Sequence, residues 1–578
     1  MKRMSLSHST DRTFCLLAGV LLTAVRLLLC QSLFIAFREG TQYDDLMQIG
    51  KAFSISNGNW LGEYGSMTLV KGVGFPLLTA FFHAVRLPYL VGWTLLWVLA
   101  CCVFIRTLAD IVPSPRQGTK DPYAYVLLLL YAFLLFCPVG FAADINRYYR
   151  DVGYYALAFL TVSLFLGMLL QKRKGVYAVL GGISLGLSVL TREDSHFLIA
   201  YAVGCLIAVC LLQLPALRAV LRQLVRCLLP AALGLAAVLL PVAAKNSAVY
   251  GTFTTDEYNS GLYAEAYGAL SRLPGEQPDS RITIPEQQRM ALYRESEAFA
   301  ELYGYLDAPD ALFAGWKDVQ GDYCTGYFSF VLRHAAEYAG HFTSAAKANA
   351  YFERLAAEVN AYADTVPGAL APARGITARF YPEELPAILR SFGRGVISAV
   401  CYTGVDALPQ PVDADDSYLK LFEDYTGSVC AARRYIDEDT TVENFHLSGL
   451  RLWGQRMIRV LILFYRYVTP ILTAAALLLW ILHTVRVFRR KIALPRWIAE
   501  SSLLCVFLLR IAMLAYVDAT TFSTINNPAY QAASYPLLTA FLLLTAAGVC
   551  QDCRARREQS SRERPPRSPL SDLNKSTR

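Results

Sequence analysis

The sequence is short of charge. Only 17% of its 578 residues are Asp, Glu, Lys or Arg, whereas 55% are hydrophobic and the mean hydropathy is +0.35. Soluble domains carry about a quarter charged residues, so the composition excludes that class and points to a membrane protein. A cysteine framework is also missing. The 14 cysteines are scattered, mostly inside apolar runs, where a thiol behaves as a small buried hydrophobe. Cys550 and Cys553 form a lone CxxC beside a basic tail; one pair cannot fill a tetrahedral zinc site, and it reads as incidental or as a lipidation candidate. Strand-like alternation is weak throughout, and there is no internal repeat.

What is present is a series of long apolar runs. A span of the roughly 30 Å hydrocarbon layer needs about 20 apolar residues as a helix. Runs at 14–37, 89–111, 123–141, 152–170, 176–190, 197–212 and 227–244 precede a long polar segment, and runs at 460–485, 498–517 and 536–549 follow it. The fold class expected is therefore an all-α polytopic membrane protein with about ten transmembrane helices. The first run is too long for a signal-peptide core and lacks a clear cleavage site, so it reads as an uncleaved anchor.

Lys and Arg in the short loops set the orientation. Arg116 and Lys120, Lys172–Lys174, Arg218–Arg226, Arg486–Arg496 and the Arg-rich tail fall on one side, while the loop 520–535 has no cation. The net charge of +8 is thus a topology signal rather than a nucleic-acid signal. Both termini are expected to be cytoplasmic, in a plasma membrane. Gly72–Val85 is apolar but only about 14 residues long, too short to span. It is expected to lie along the interface, with Leu77, Leu78, Phe81 and Phe82 at the lipid boundary, and Asp45–Phe53 to form a second such helix. Four regions result: a transmembrane catalytic module, 1–244, with seven helices and a first outer loop at 38–88; a mostly helical extracytoplasmic domain, 245–456; C-terminal transmembrane helices, 457–550; and a disordered basic tail, 551–578.

Four polar constellations fall on the outer face under this topology. They are Asp44-Asp45; Asp144 to Asp151, containing Arg147-Tyr148-Tyr149-Arg150; Thr191 to His196, containing Arg192; and Asp518 with Asn526, Asn527, Pro528, Tyr530 and Tyr535. Ionisable side chains at helix ends of a membrane protein usually do more than pack. Each has a plainer reading: Asp44-Asp45 as a helix cap, Arg147 and Arg150 as snorkelling cations or partners of Asp144 and Asp151, Arg192 and His196 as headgroup contacts. Arg26 and Arg510, inside spans, are expected to face the bundle interior as ligands or as halves of ion pairs. The coincidence of Lys71, Arg147, Arg150, Arg192 and Arg456 with Asp44, Asp45 and Asp151 at one surface favours a site for a lipid phosphate. There cations hold a leaving phosphate and a carboxylate deprotonates an acceptor hydroxyl.

The order of these motifs resembles the GT-C superfamily of integral-membrane glycosyltransferases, in its protein-mannosyltransferase and aminoarabinose-transferase branch. Tyr43-Asp44-Asp45 follows the first span, then Lys71, Gly74 and Pro76, then Arg147–Asp151. A glycine-rich helix ending in Leu190-Thr191-Arg192 comes next, then Lys245-Asn246 with Tyr250–Phe253, and Tyr535-Pro536 opens the last span. The resemblance implies an inverting transfer of a sugar from a polyprenyl-phosphate donor to a lipid, glycan or protein acceptor outside the cytoplasm. Asp44 or Asp45 would be the general base and Asp151 an assisting carboxylate, with Lys71, Arg192 and Arg150 on the donor phosphate; Arg147 and His196 complete the substrate-binding set. Oligosaccharide-transferring relatives use a divalent metal on such carboxylates, whereas the monosaccharide branch generally does not, so neither metal nor other cofactor is expected. The alternatives are a lipid-linked oligosaccharide ligase or polymerase, and a transporter without chemistry. A transporter should show broken helices and inverted repeats, and the sequence shows neither.

Overall fold

Runs of Leu, Ala, Val and Phe with helical periodicity fold as helices, and they supply nearly all the regular structure. The computed structural model describes residues 2–36, 42–109, 122–212, 217–273, 281–319, 321–373, 376, 378–409, 416–431, 449–489 and 494–563. The N-terminal helices are α1 (Lys2–Cys30), α2 (Met47–Ser56), α3 (Gly74–Ala84), α4 (Tyr89–Leu108), α5 (Pro122–Leu135), α6 (Asp151–Leu170), α7 (Lys174–Thr191), α8 (His196–Leu211) and α9 (Leu217–Tyr250). The middle segment carries α10 (Gly261–Leu270), α11 (Glu286–Glu295), the single turns α12 (Glu297–Ala300) and α13 (Tyr303–Leu306), α14 (Thr325–Tyr338), α15 (Ala345–Ala363), α16 (Leu385–Cys401) and α17 (Asp416–Thr426). The chain closes with α18 (Gly449–Phe488), α19 (Leu494–Thr520), the short α20 (Pro528–Gln531) and α21 (Ser534–Glu563). Two short strands, Lys317–Val319 and Asp322–Tyr323, pair antiparallel.

This is a multi-pass, all-α membrane protein. Every expected span carries a helix, and among the described residues eight helices are long and apolar enough to cross a bilayer. The expected spans at 123–141 and 197–212 are shorter, α5 with 14 residues and α8 with 16. After α5 the chain turns at Cys137, and Pro138 opens a 3₁₀ turn, because proline cannot continue a helix from within. The expected cations at Arg116 and Lys120 lie outside the described residues.

Helix α6 is apolar all round and buried along its whole length, the signature of a central helix. It packs against α4, α7 and α8, and α7 packs against α9. The α7–α9 contact is backbone-close: a Cβ at Gly182 would lie 2.0 Å from the Ala231 carbonyl oxygen. Small residues are the usual means of close helix packing in a membrane. At the far end of the bundle, Arg496 bonds Glu500 at 3.1 Å and Asp552 at 2.7 Å, and His483 bonds Glu500 at 2.8 Å, tying α18, α19 and α21 together.

Three expectations are revised. Helix α3 does not lie with all its apolar residues outward. Phe81 is exposed, but Phe82 is buried with its ring 5.1 Å from Trp93, and Leu78 packs on the main core, because α3 closes over α4. The segment 245–456 is not one unit. Residues from Tyr258 to Ala363 build a second core, which also takes Met67 and Val70 from the loop after α2. By contrast Ala399, Tyr402, Leu419, Phe422, Tyr425 and Cys430 belong to the main core, and α16 packs on α18, α19 and α21. The tail also differs: α21 continues to Glu563, past the start of the expected disorder at Gln551, and residues 564–578 lie outside the described set.

Just beyond α1, the chain is clamped on both sides. Ile35 donates to the Val429 carbonyl at 2.9 Å and accepts from Ala431 at 2.9 Å, while Ala36 donates to Asn146 at 3.2 Å. These make parallel bridges, Ile35 with Cys430 and Ala36 with Arg147.

Candidate functional site

A loop, a turn and two helix ends converge at one end of the bundle. The loop runs from α2 to α3. Lys71 has φ +58 and Gly72 φ +50, so the chain doubles back there. At Gly72 a Cβ would meet the Leu190 carbonyl oxygen at 2.3 Å, so only glycine allows the loop to lie on the C-terminal end of α7. From below, Gln48 and Lys51 of α2 hold the loop by its carbonyls: Gln48 Nε2 donates to Lys71 O at 3.3 Å and Lys51 Nζ to Val70 O at 2.9 Å.

The turn 146–150 is anchored by aromatics. Tyr148 is buried, stacks on Tyr89 at 5.1 Å and meets Phe75 edge-on at 5.3 Å, and the Tyr89 hydroxyl donates to Arg147 O at 2.9 Å. Its neighbours then point the other way. Arg147, Arg150 and Lys71 surround the ring of Tyr149, at 4.9, 5.0 and 5.7 Å from its centroid. A ring face attracts such cations and gathers them without neutralising them.

Each cation also has a carboxylate. Lys71 pairs with Asp44. Arg147 spans the acidic pair, reaching Asp45 at 2.6 Å through Nε and Asp44 at 3.1 Å through Nη2. Arg150 bonds Glu193 at 2.5 Å and the Tyr149 hydroxyl at 2.9 Å. Arg192, at the C-terminus of α7, pairs with Asp151 at the N-terminus of α6 and with Asp194 at 3.0 Å; both placements suit the helix dipoles. Arg510 of α19 takes the other oxygen of Asp194 at 2.7 Å. The turn 192–195 is fixed by Ser195, whose hydroxyl bonds Ser188 O at 3.0 Å and Tyr154 OH at 3.0 Å.

The two adjacent aspartates differ. The Asp45 side chain is 0% exposed and faces Arg147, while that of Asp44 is 29% exposed. Burial pushes the Asp44 carboxyl up, but Lys71 and Arg147 outweigh it and hold the group well below the usual carboxylate range. Lys51 is driven the opposite way from an ordinary lysine. Burial lowers it to about 7, and the Lys71 and Arg150 charges add to the fall.

No family model and no curated protein matches the sequence. Two solved structures, both of ArnT from Cupriavidus metallidurans, align with 96% of this chain. The one bound to undecaprenyl phosphate shares 12% identity, is covered over 82% of its own length and gives a TM-score of 0.29. The one in the apo state shares 11% identity, is covered over 81% and gives a TM-score of 0.25.

The structure thus gathers Asp44, Asp45, Lys71, Arg147, Arg150, Asp151 and Arg192. It leaves His196 out: that side chain is exposed at the start of α8, and among the described residues no hydrogen bond or ion pair joins it to the cluster. The constellation at 518–535 separates. Asp518 accepts from Ser391 at 2.6 Å and from the backbone of Thr524 and Ile525, and so shapes its own loop. Tyr535 is buried and stacks on Tyr402 at 4.8 Å, whereas the ring of Tyr530 joins the cluster 5.5 Å from Arg192. Of the intramembrane arginines, Arg510 is the ion-pair half already described, and Arg26 donates to Gly140 O at 3.0 Å over the ring of Phe141.

Tyr149, Glu193, Asp194 and Tyr530 belong to constellations that gave them no individual role, and the two cluster residues outside every constellation are Gln48 and Lys51. A signal existed for these two. Asp44, Gln48 and Lys51 stand at i, i+4 and i+7, one face of a helix. Among the described residues, no group of three or more His, Cys, Asp or Glu side chains could hold a metal ion.

Proposed function

We propose that the protein is a membrane glycosyltransferase that moves a sugar from a polyprenyl-phosphate donor to an acceptor at the extracytoplasmic face, with inversion, and that Asp44 is its general base. The observation that carries this reading is the position of Asp44. It is the exposed member of the acidic pair, and it lies between two cations that an incoming phosphate would also seek. The motif order that resembles the GT-C enzymes and the loop 520–535, which has no Lys or Arg and brings Tyr530 to the cluster, support the same reading.

The five carboxylates Asp44, Asp45, Asp151, Glu193 and Asp194 face five basic side chains, Lys71, Arg147, Arg150, Arg192 and Arg510. A phosphate therefore binds by exchange. As it draws Lys71 and Arg147 toward its oxygens, their hold on Asp44 weakens, and the carboxylate becomes a stronger base with donor in place. Asp44 then takes the proton of the acceptor hydroxyl, the freed oxygen attacks the anomeric carbon, and the carbon–oxygen bond to phosphate breaks with its electrons leaving on the phosphate. The cations around Tyr149 stabilise that charge. Asp45 and Asp151 position Arg147 and Arg192. The residues perform these steps without a metal.

The test compares Asp44→Asn with Asp45→Asn in the full chain in nanodiscs, with a panel of labelled polyprenyl-phosphate sugars and envelope acceptors. Asp44→Asn is expected to abolish transfer in a protein that melts normally. Asp45→Asn is expected to melt lower, since it strips Arg147 of a buried partner, and to keep residual transfer. Undiminished transfer by Asp44→Asn would refute the assignment.

A further inference from the structure

We infer that a cavity beside the catalytic loop, separate from the charged cluster, binds one sugar ring of the acceptor. It has a volume of about 290 Å³ and lies where α9 leads into the second core. That is the lower end of small-ligand sites, roughly 300–1,000 Å³, enough for a single ring and too small for a lipid chain. The inference rests on the transferase reading and names the chemistry of its acceptor.

The walls have the character a pyranose needs. Tyr64, Phe253, Tyr263, Phe342 and Phe352 line it with aromatic surface, against which the C–H side of a ring packs. Asn349, on α15, brings a half-buried amide that has no side-chain partner among the described residues. Glu257 is nine-tenths buried. Its Oε2 accepts from Tyr64 at 2.9 Å, while Oε1 is buried with no hydrogen-bond partner. A buried carboxylate oxygen without a partner is costly, and a small turn of the Glu257 side chain in the cavity wall would offer it to a ligand hydroxyl.

Charged ligands fit less well. The place of a ligand cation is already taken by Arg333, whose guanidinium lies 4.8 Å from the Tyr263 ring and 5.0 Å from the Phe342 ring and reaches Glu257 at 3.5 Å. An anion would face the carboxylates of Asp256 and Glu257, and the cation on the wall, Arg333, is already paired with Glu257. A neutral polyol is left.

The cavity shares a wall with the catalytic loop. The Glu257 backbone N–H donates to Leu69 O at 3.0 Å, two residues before Lys71. Tyr258 stacks on Phe330 at 4.8 Å, and Phe330 lies 5.0 Å below the Lys71 ammonium. A sugar held here would be one loop thickness from Asp44, so an acceptor with a further ring could present its hydroxyl to the base.

The experiment is saturation-transfer NMR and a fluorescence titration on the full chain in nanodiscs. The probes are the methyl glycosides of glucose, mannose and galactose, N-acetylglucosamine, inorganic phosphate and tetramethylammonium. At least one glycoside is expected to bind, and Glu257→Gln and Asn349→Ala should each weaken it about tenfold, the loss of one good hydrogen bond. Asn349 is on a half-exposed helix surface, so that variant keeps the test alive if Glu257→Gln misfolds. Failure of every glycoside to bind overturns the proposal. So does binding of phosphate or tetramethylammonium that these variants weaken instead. Asp44→Asn separates the two readings: loss of transfer with no glycoside bound sinks the cavity alone, and glycoside binding with transfer intact in that variant sinks the transferase reading alone.

Discussion

Replacing Gly72 by alanine tests whether the loop geometry, rather than the mere presence of Lys71, makes the site. The new Cβ would stand 2.3 Å from the Leu190 carbonyl oxygen, against the 3.0 Å below which such contacts do not occur, so the loop must lift by at least about 0.7 Å. Helix α7 cannot yield in its place, because Gly182 fixes its backbone against α9. Lys71 moves with the loop and parts from Asp44 and Tyr149. Displacements near 1 Å in a positioned site cost on the order of 100-fold in rate, about 2.7 kcal/mol of transition-state stabilisation. Alanine at positive φ also carries backbone strain of about 1–2 kcal/mol. Gly58→Ala isolates that second effect, since Gly58 has φ +81 with nothing within 4 Å of its Cβ position. Initial transfer rates and melting in detergent are measured for both. Both variants should melt lower, and only Gly72→Ala should lose transfer, by about 100-fold. If Gly72→Ala is no slower than Gly58→Ala, the loop geometry is irrelevant and the reasoning fails.

Two further outcomes concern stability. The native state holds Lys51 at about 7 while the unfolded chain holds it at 10.5, so the unfolded state binds more protons between those values and stability attributable to this group rises with pH across that window. Lys51→Met should therefore melt higher than the parent near pH 6, with the gain shrinking toward pH 10; a gain independent of pH would refute the buried charge. In the second core, Arg289 is fully buried and bonds Asp307 and Asp322 at 2.7 Å each. Arg289→Met leaves the buried Asp307 with only Lys317 at 3.0 Å and the Tyr293 hydroxyl at 2.7 Å and should cost about 3 kcal/mol, read from denaturant unfolding. Burial raises the Asp307 carboxyl, but Arg289, Tyr293 and Lys317 outweigh it and bring the group to about 2. Its contribution is present above pH 4 and is lost as pH falls toward 2, so parent and variant should converge in acid.

Much of this was legible in the sequence, for physical reasons. Apolar runs long enough to span leave a helix no alternative in lipid, and helices occur where those runs lie. Charged side chains at the ends of such runs are expensive to place, and Asp44, Arg147, Asp151 and Arg192 do meet. Pairing was not legible. Glu193, Asp194 and His196 stand within four residues of one another, yet the first two face the cluster and the third faces out, since that depends on where α8 begins. Nor could composition divide the polar middle segment: Tyr402 and Cys430 sit in the main core through contacts with Cys137, Tyr465 and Ile35, partners hundreds of residues away or in another span.

The clamp on Ile35 and Ala36 has a consequence for biogenesis. One face of this two-residue stretch is held by the turn that presents Arg147, the other by residues 429–431. During synthesis the first nine helices are complete long before residue 429 leaves the ribosome, so the nascent protein waits with the stretch paired on one side only. On the proposed reading the N-terminal helices are not self-sufficient: a chain cut after α9 lacks residues 429–431 and also Arg510, and should insert yet stay inert until a fragment carrying both is supplied in trans.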